Sequence, residues 1–509
     1  MSRLKFYDEY NFFVSSWKEK VDARGGFAAH WVVFWVALIV RLAYVMLAHT
    51  YRVRPYGDHF GFGWEMGRIA RALATGYGYA DPFSGHTGPT TWVTPAYPLM
   101  IAGAFKLFGV FSPLAAWVLI AINCVLNALM VRTTWEIAAR CFNTSVAKWS
   151  AWIWALYPAA MQYAVKWIWE MSLTAFLFLW VLVLALRMRN IGGVPEDAAA
   201  AANPRRWATF GLLWGVIALS NPSLLLFLPA CGLWVVWGAK SAERSHRAQW
   251  LLQTRGVLLA SVVFFVCIAP WGYRNWMVFH RFVPMRGNFG AELYLGNGPG
   301  AIGLLMEYDH PYQDPVQLRL YKAMGELPYA KLRGDLAKAV IRENPKHFLV
   351  LSLKRLYYFW FSVPHPFDEG AVAEYGRNLN FQFSSIAGLL GLALALKRRV
   401  PGAVLFAWAF FLLPLVYYFV TVHARFRHPL EPLIAILSVY LFQSVEKSWR
   451  VRWFFAANLS RFVFDCAPAY GSEVRNFGPD FHCRAEARHS LNPESCAEVR
   501  FCPDFAWVN

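Results

Sequence analysis

Long apolar runs separated by polar connections dominate the chain. The first run, at 30–48, follows the polar segment 1–29 and has no small-residue cleavage pattern, so it indicates a membrane anchor rather than a removed signal peptide. Further apolar runs lie at 113–135, 149–165, 171–187, 208–220, 222–238, 257–273, 380–396, 402–421 and 429–445. Since about 20 apolar residues cross a bilayer core, the pattern predicts an all-α polytopic membrane protein with about ten transmembrane helices.

The positions of basic residues orient these predicted spans. Basic connections lie at 140–148, 187–206, 240–255, 397–399 and 447–452. If the spans alternate from a cytoplasmic N-terminus, every one of these connections is cytoplasmic, as the positive-inside trend requires. We therefore expect a cytoplasmic segment 1–29, a transmembrane module 30–445 and a poorly ordered cytoplasmic tail 446–509.

Two large loops remain on the outer side of this arrangement, at about 49–112 and 274–379. Each contains one apolar stretch that basic residues interrupt, at 95–108 and 347–362. We interpret both stretches as amphipathic helices at the outer membrane interface, where aromatic and basic side chains are tolerated. The other outer connections are short, so functional residues are expected in the two loops and in the turn 166–170.

Composition argues against several other classes of protein. Of the 509 residues, 57% are hydrophobic and only 16% are charged, which excludes a disordered chain and a collagen and argues against an ordinary soluble enzyme. The formal net charge of +18 would suggest nucleic acid in a soluble protein, but no groove-reading motif is present and cytoplasmic loops hold much of the excess. We expect membrane lipids, and no nucleic acid, among the partners.

The first outer loop contains acidic residues beside a predicted amphipathic helix at 64–75. A transfer reaction onto a hydroxyl group needs a carboxylate that takes the proton, and Asp58 and Glu65 are the candidates here, with Asp81 a weaker one. His59 follows Asp58 in a glycine-rich stretch that can approach a ligand closely. The helix pattern puts Met66, Ile69, Ala70 and Leu73 on one face and Glu65, Arg68, Arg71 and Thr75 on the wet face. The alternative for each acid is a solvated surface charge.

The turn before the run 171–187 carries a second acid. Glu170 stands at the start of an apolar helix, where it could be no more than a favourable N-terminal charge. It could also face an acid of the first loop, so that the two carboxylates act as base and acceptor-orienting group or share a divalent metal ion. Lys166, on the same helical face, could neutralise a phosphate.

Basic residues on the outer side run against the positive-inside trend. Arg274 lies just beyond a predicted span, and Asn288 and Asn297 mark tight turns of a folded second loop. Arg425 and Arg427, flanked by two histidines, lie at the outer mouth between the last two runs. Arginine makes strong and often bidentate contacts to phosphate, so a lipid phosphate is the natural partner. Anionic lipid headgroups are the alternative partner.

Several segments together resemble a known family. These are IARALATG (69–76), YPL and KLFG within 97–109, PWGYRNW (270–276), NFGAELYLGN (288–297) and RFRHPLEPL (425–433). They resemble the GT-C superfamily of membrane glycosyltransferases, and more closely its bacterial branch of protein O-mannosyltransferases and aminoarabinose–lipid A transferases. The resemblance covers about residues 30–445 and implies a GT-C-type helical bundle in the bacterial cytoplasmic (inner) membrane.

The resemblance also implies chemistry. It implies a polyprenyl-phosphate sugar donor, a lipid, glycan or protein acceptor, an active site on the outer face, and inverting transfer with a first-loop acid as the base. Asp58 matches that acid by position, but the chain has Asp-His where the family has an acidic pair, so Glu65 stays a candidate. Glu170 matches the second acid. Arg425 and, less directly, Arg427 match the basic residues that bind the donor phosphate.

The remaining candidates take supporting roles in this interpretation. Arg274 and Lys166 are further phosphate-binding candidates, and His59, Arg68, Asn288 and Asn297 are candidates for contacts to the substrate. No cofactor is indicated, and a divalent metal ion stays an open alternative.

Two other functions compete with the transferase. A flippase or transporter of lipid-linked saccharides should show internal repeats and ionisable residues in mid-span, whereas no repeat is visible and the charges gather at the outer surface. A transferase of the O-antigen-ligase type would also use a large outer loop and arginines, but its donor carrier would be a diphosphate.

Overall fold

The computed structural model describes residues 25–194, 197, 203–238, 246–363 and 371–446. The predicted all-α fold is confirmed, because helices dominate the described residues and the extended pairing found there is one isolated bridge between Ala80 and Pro89. The segment 1–24, the alanine run 198–202 and the tail 447–509 lie outside the described residues. The expectations for the two cytoplasmic ends therefore remain predictions.

Eighteen α-helices are described. In chain order they are α1 Gly25–Leu47, α2 Glu65–Ala74, α3 Ala96–Phe108, α4 Pro113–Cys141, α5 Thr144–Leu156, α6 Pro158–Val165, α7 Met171–Met188, α8 Pro204–Ser220, α9 Leu228–Gly238, α10 His246–Phe279, α11 Phe289–Asn297, α12 Pro315–Met324, α13 Glu326–Glu343, α14 Pro345–Phe361, α15 Ala371–Lys397, α16 Ala403–Leu412, α17 Leu415–Phe419 and α18 Glu431–Glu446. Short 3₁₀ helices lie at Pro222–Phe227, Glu307–Asp309 and Ala424–Leu430.

Five of these helices are long and apolar enough to cross a membrane. The spanning stretches are His30–Leu47, Pro113–Cys141, Met171–Met188, Leu252–Phe279 and Glu374–Lys397. Within the most apolar part of α7, 78% of the residues are buried inside the protein, against 17% for α10. Helix α7 therefore lies at the centre of the bundle, while α10 presents most of its apolar surface to the surroundings.

The other five predicted runs form interrupted or shorter helices. The run 149–165 breaks between α5 and α6, where Tyr157 is extended and Pro158 begins the next helix. A break before Pro414 likewise divides 402–421 into α16 and α17. Proline lacks the N–H that would continue the preceding helix, and its ring clashes with that helix. Ten apolar runs therefore correspond to only five uninterrupted spans among the described residues.

Local sequence sets where many helices begin. Helices α4, α8, α12 and α14 each start with a polar N-cap whose side chain accepts a backbone N–H, followed by proline at the first helical position. The caps are Ser112, Asn203, Asp314 and Asn344. Such caps satisfy an otherwise unpaired N–H, and proline tolerates the first position because its missing N–H has no helical partner there.

Two connecting regions fold into ordered structure beside the bundle. The first loop region, residues 48–112, contains α2 and α3, and the second loop region, residues 280–363, contains α11 to α14. The helices predicted at 64–75, 95–108 and 347–362 are thus present as α2, α3 and α14. The carboxylate of Glu326, which is 3% exposed, joins the two regions by accepting hydrogen bonds from Thr90, Thr91 and Tyr321.

Candidate active site

A cavity of about 400 Å³ lies where both loop regions meet the ends of several bundle helices. Two segments, 92–94 and 416–426, line part of the cavity. The other walls come from the starts of α2 and α11, the residue before α7, and the turn between α8 and the following 3₁₀ helix. The charged or titratable lining residues are Glu65, Glu170, Arg286, Glu292, His310, His423 and Arg425. Charged side chains from segments far apart in the sequence therefore line the same cavity.

Two carboxylates stand on one side of this cavity. Glu65 is the first residue of α2, and Glu170 immediately precedes α7. The indole of Trp64 stacks on that of Trp169 at a centroid distance of 4.0 Å, which brings the two chain segments together. Trp64 has a φ of 53°, a left-handed conformation that turns the chain sharply into α2. The aromatic contact thus places both acids at the same wall.

Burial dominates the electrostatics of these acids. Desolvation raises the pKa of Glu65 and of Glu170, while Arg425 and Arg286 partly oppose that rise. The two carboxylates also repel each other, which contributes to the raised pKa of Glu170. A buried oxygen of Glu170, Oε2, has no hydrogen-bond partner in the described part of the chain. Both acids are therefore costly to keep charged unless a ligand completes their environment.

Arg425 and Arg286 supply positive charge to the same cavity. The guanidinium of Arg425 lies 3.7 Å from the ring centroid of Trp169, and burial lowers its pKa while Glu170 and Glu65 raise it. Arg286 donates from Nε to the carbonyl oxygen of Trp92 at 2.8 Å. Among the described ion pairs, neither arginine is joined to a carboxylate. Both guanidinium groups can therefore contact an anionic ligand.

The second loop region adds two further groups that the sequence did not single out. Glu292 lies one helical turn after Asn288 and accepts a hydrogen bond from its Nδ2 at 2.9 Å. His310 approaches Glu65, with 3.6 Å between Nε2 and Oε1. The four-residue spacing of Asn288 and Glu292 could have indicated a shared helix face, whereas no local pattern distinguishes His310.

Asp58 lies outside the cavity. Its carboxylate forms a 2.8 Å ion pair with Nη1 of Arg68 and lies 3.8 Å from Arg71. Arg68 also donates to the carbonyl oxygen of Gly57, and the ring of His59 stacks on Phe111 at 4.4 Å. These contacts hold the left-handed turn at 57–59 against α2. The turn covers Arg68 and leaves it fully buried, which differs from the solvent-facing position that the helix pattern predicted.

Two of the predicted phosphate ligands also lie outside the cavity wall. Arg427 is fully buried, bound to Glu431 at 2.6 Å and to Ser384 and Ser385. Arg274 belongs to the last turns of α10 rather than to a loop, and it donates to backbone carbonyl oxygens of the first loop region at 2.7 and 2.8 Å. The hydrogen-bond donors of both side chains are largely used within the protein.

The remaining candidates are also separate from the cavity. Asn297 is buried and donates to the carbonyl oxygens of Leu293 and Phe419. Lys166 is exposed. Asp81 is buried in its own turn, where its carboxylate accepts the backbone N–H groups of Thr87 and Gly88. Of the predicted site residues, the cavity brings together Glu65, Glu170, Asn288 and Arg425.

A ligand set for a metal ion is not evident among the described residues. No group of three His, Cys, Asp or Glu side chains there has an arrangement that could hold an ion. Glu65 and Glu170 share their wall with arginine, whose positive charge opposes a neighbouring cation. The described geometry fits an anionic ligand between the arginines better than a divalent cation between the acids.

No protein-family model matches the sequence, and no curated protein sequence matches it. Among solved structures, the chain is similar to the apo oligosaccharyltransferase of Archaeoglobus fulgidus, with 13% identity, a TM-score of 0.48, and coverage of 88% of this chain and 52% of the other. It is also similar to ArnT from Cupriavidus metallidurans bound to undecaprenyl phosphate, with 15% identity, a TM-score of 0.33, and coverage of 83% and 79%.

The extent of these similarities is limited. The chain spans about half the length of the oligosaccharyltransferase. At these identities and scores the comparison assigns no residue a role, so the roles must come from this chain's own geometry. In the described residues, that geometry is a helical membrane protein with a charged cavity lined by three glutamates and two arginines that form no ion pair with each other.

Proposed function

We propose that the protein is an integral membrane glycosyltransferase that moves a sugar from a polyprenyl-phosphate carrier to a lipid, glycan or protein acceptor. The observation that supports this most directly is the cavity itself. Glu65 and Glu170 offer carboxylates for proton transfer, and Arg286 and Arg425 offer positive charge for a phosphate, within one enclosure at the ends of apolar helices. A carrier with a long hydrocarbon tail and an anionic head matches that combination.

The proposed reaction is a single displacement. The carboxylate of Glu65 takes the proton of an acceptor hydroxyl, whose oxygen attacks the anomeric carbon of the donor sugar. The bond between that carbon and the carrier phosphate breaks on the opposite side, and the leaving phosphate takes the electron pair, so the configuration inverts. Arg286 and Arg425 stabilise the negative charge on the departing phosphate. Holding the two substrates in line supplies much of the remaining acceleration.

Glu65 suits the role of base better than Asp58 in this proposal. The carboxylate of Asp58 is engaged by Arg68, and its side chain is 46% exposed outside the cavity. Glu65 lines the cavity, and burial raises its pKa toward the range in which a carboxylate accepts a proton effectively near neutral pH. Glu170, beside it, is proposed to orient the acceptor hydroxyl.

The proposed location is the bacterial cytoplasmic membrane, with the cavity on its outer face. The five long apolar helices support a location in the membrane. The basic connections in the sequence support the proposed orientation, with those connections in the cytoplasm. Labelling of single cysteines introduced at exposed positions, such as Lys166→Cys, with a membrane-impermeant reagent in intact cells tests the orientation. Labelling from outside agrees with it, whereas labelling only after lysis contradicts it.

The function itself can be tested in two steps. Mass spectrometry of glycolipids and glycoproteins from a deletion strain should show a sugar modification that returns on complementation. Purified protein in lipid vesicles should then release undecaprenyl phosphate from the matching undecaprenyl-phosphate sugar when extract from the deletion strain supplies the acceptor. Movement of a lipid-linked saccharide across the vesicle without such release would instead support a flippase, and release of a diphosphate carrier would support the ligase-type reaction.

A further inference from the structure

His310 is a buried side chain of the cavity wall whose protonation state follows from its contacts. It lies in the second loop region, just after the 3₁₀ helix Glu307–Asp309, and is 9% exposed. Its Nδ1 lies 3.2 Å from the backbone nitrogen of Tyr312 and accepts that N–H. An imidazole nitrogen that accepts a hydrogen bond carries no proton, so the proton of the neutral ring belongs to Nε2.

The protonated nitrogen of this tautomer faces Glu65. The distance from Nε2 to Oε1 is 3.6 Å, longer than a hydrogen bond but short enough to close by a small rotation of either side chain. The rings of Phe83 and Trp92 meet the imidazole edge to face, at centroid distances of 5.4 and 5.9 Å. These rings and the contact to Tyr312 fix the orientation of the imidazole. The Nε2 donor is therefore held toward the carboxylate of Glu65.

We propose that His310 is a positioning residue that donates a hydrogen bond from Nε2 to the carboxylate of Glu65 and so orients and stabilises its charged form. This inference rests on the proposed function only for its catalytic consequence, because the hydrogen bond can be measured without turnover. Since Glu65 belongs to the first loop region and His310 to the second, the bond also links the two regions at the site of chemistry.

The neutral state of His310 is consistent with this role. Burial lowers the pKa of His310 to about 4, so the ring stays uncharged at neutral pH and donates without competing for the proton that Glu65 receives. Five other charged groups act on the pKa of His310, of Glu65 or of the neighbouring cavity acid. They are Arg68, Glu170, Arg286, Glu292 and Arg425. Glu292 is the acid whose charge opposes the lowered pKa of His310, and its carboxylate also accepts a hydrogen bond from Nδ2 of Asn288.

The tautomer gives the first test. Nitrogen-15 spectra of the histidine-labelled protein in lipid vesicles, with the His310 signals assigned by their loss in His310→Gln, should show an unprotonated Nδ1 and a protonated Nε2 at pH 7. A protonated Nδ1, or a doubly protonated ring at pH 7, would overturn the proposal. The tautomer is read on the unmodified chain, and His310→Gln serves only to assign the signals.

The second test measures the carboxylate. Infrared titration, with the Glu65 band identified by its loss in Glu65→Gln, gives the pKa of Glu65 in each variant. His310→Leu removes the donor and should raise that pKa by about one pH unit or more, since hydrogen bonds to charged groups contribute that much. His310→Gln keeps an N–H near the Nε2 position and should restore most of the wild-type value. His59→Leu, outside the cavity, is the matched control and should change nothing.

The outcomes separate this inference from the proposed function. If the Glu65 pKa is the same in His310→Leu and wild type, the inference is overturned even when transfer is observed. If the pKa moves as expected but no donor is consumed, the hydrogen bond stands and the transferase proposal fails. If both hold, the acid limb of the activity profile should move to higher pH in His310→Leu by the same amount as the measured pKa, and return in His310→Gln.

Discussion

Two clusters of acids and arginines in this protein differ in how their charges are paired. The first, here the helix-end cluster, consists of Glu136, Arg140, Arg187, Asp197 and Arg206. Each of its acids has two arginine partners at 2.6–2.9 Å. The second is the cavity, where Glu65 and Glu170 have no arginine partner among the described ion pairs.

The difference separates structure from function. A carboxylate held by two arginines has its charge and most of its lone pairs satisfied, so it fixes the helices α4, α7 and α8 and has little left for a ligand. A desolvated carboxylate without such partners destabilises the fold and persists where its charge is used. The pairing state therefore indicates a site more reliably than the residue type does.

The largest expected effect is the loss of transfer in Glu65→Gln. Removing a general base should lower the rate by about 10²–10⁴-fold while the protein still folds, because glutamine keeps the size of the side chain. The rate of undecaprenyl phosphate release in vesicles measures this. Asp58→Asn is the matched control and should lose less than about tenfold. If Asp58→Asn is inactive while Glu65→Gln stays active, the base is Asp58.

The next effect concerns stability rather than turnover. Glu136→Leu removes the carboxylate that pairs with Arg187 and Arg140, and losing hydrogen bonds to charged groups in this partly buried cluster should cost about 1–3 kcal/mol. The apparent Tm of the purified protein should fall clearly, whereas Glu65→Gln should not lower it. The double variant Glu136→Leu with Arg187→Leu should recover part of the loss, since no uncompensated charge remains. An unchanged Tm in Glu136→Leu would contradict the structural role of the helix-end cluster.

A smaller effect is expected on donor binding. Arg425→Ala should weaken the binding of undecaprenyl phosphate by about 10–100-fold, the range of a lost hydrogen bond to a charged group. Titration of the lipid into detergent-solubilised protein, followed by native mass spectrometry, measures it. Lys166→Ala removes an exposed positive charge outside the cavity and serves as the control. Equal losses in both variants would show general attraction to anionic lipid instead of a phosphate site.

The smallest effect is a gain of stability that depends on pH. The pKa of Glu65 is raised in the folded state, so folding favours its protonated form and this contribution is lost as pH rises through that pKa. Glu65→Gln removes the penalty and should be about 1 kcal/mol more stable than wild type at pH 8. The difference should vanish near pH 4, at or below the ordinary pKa of a glutamate. If the wild type is instead more stable than Glu65→Gln at pH 8, the charged carboxylate of Glu65 has a stabilising partner in the folded protein.

The sequence predicted much of the fold and part of the site. The apolar runs predicted the positions of the bundle helices. The pattern at 64–75 predicted α2, and its two ends differ from those in the structure by one residue each. Pro158 and Pro414 break two of the apolar runs, although the apolar pattern continues across both positions. Length and hydropathy alone therefore predicted about ten spans where five uninterrupted ones are described.

At the site, residue type and position in a loop were insufficient. Arg425 and Arg427 are two residues apart in one motif, yet the first lines the cavity and the second is bound by Glu431 in the interior. A 3₁₀ turn directs neighbouring side chains to different sides, and its geometry is not visible in composition. Likewise, the sequence resemblance favours Asp58 as the positional match and keeps Glu65 as a candidate, whereas the structure pairs Asp58 with Arg68.

The sequence by itself determined that this is a helical membrane protein, because apolar length and helical periodicity are local properties of the chain. Only the tertiary structure decided which charges are satisfied. The partner of an acid is a residue tens or hundreds of positions away, as with Glu65, His310 and Arg425. Burial and pairing depend on how those distant segments pack, so the cavity and its unpaired carboxylates appear only in the folded chain.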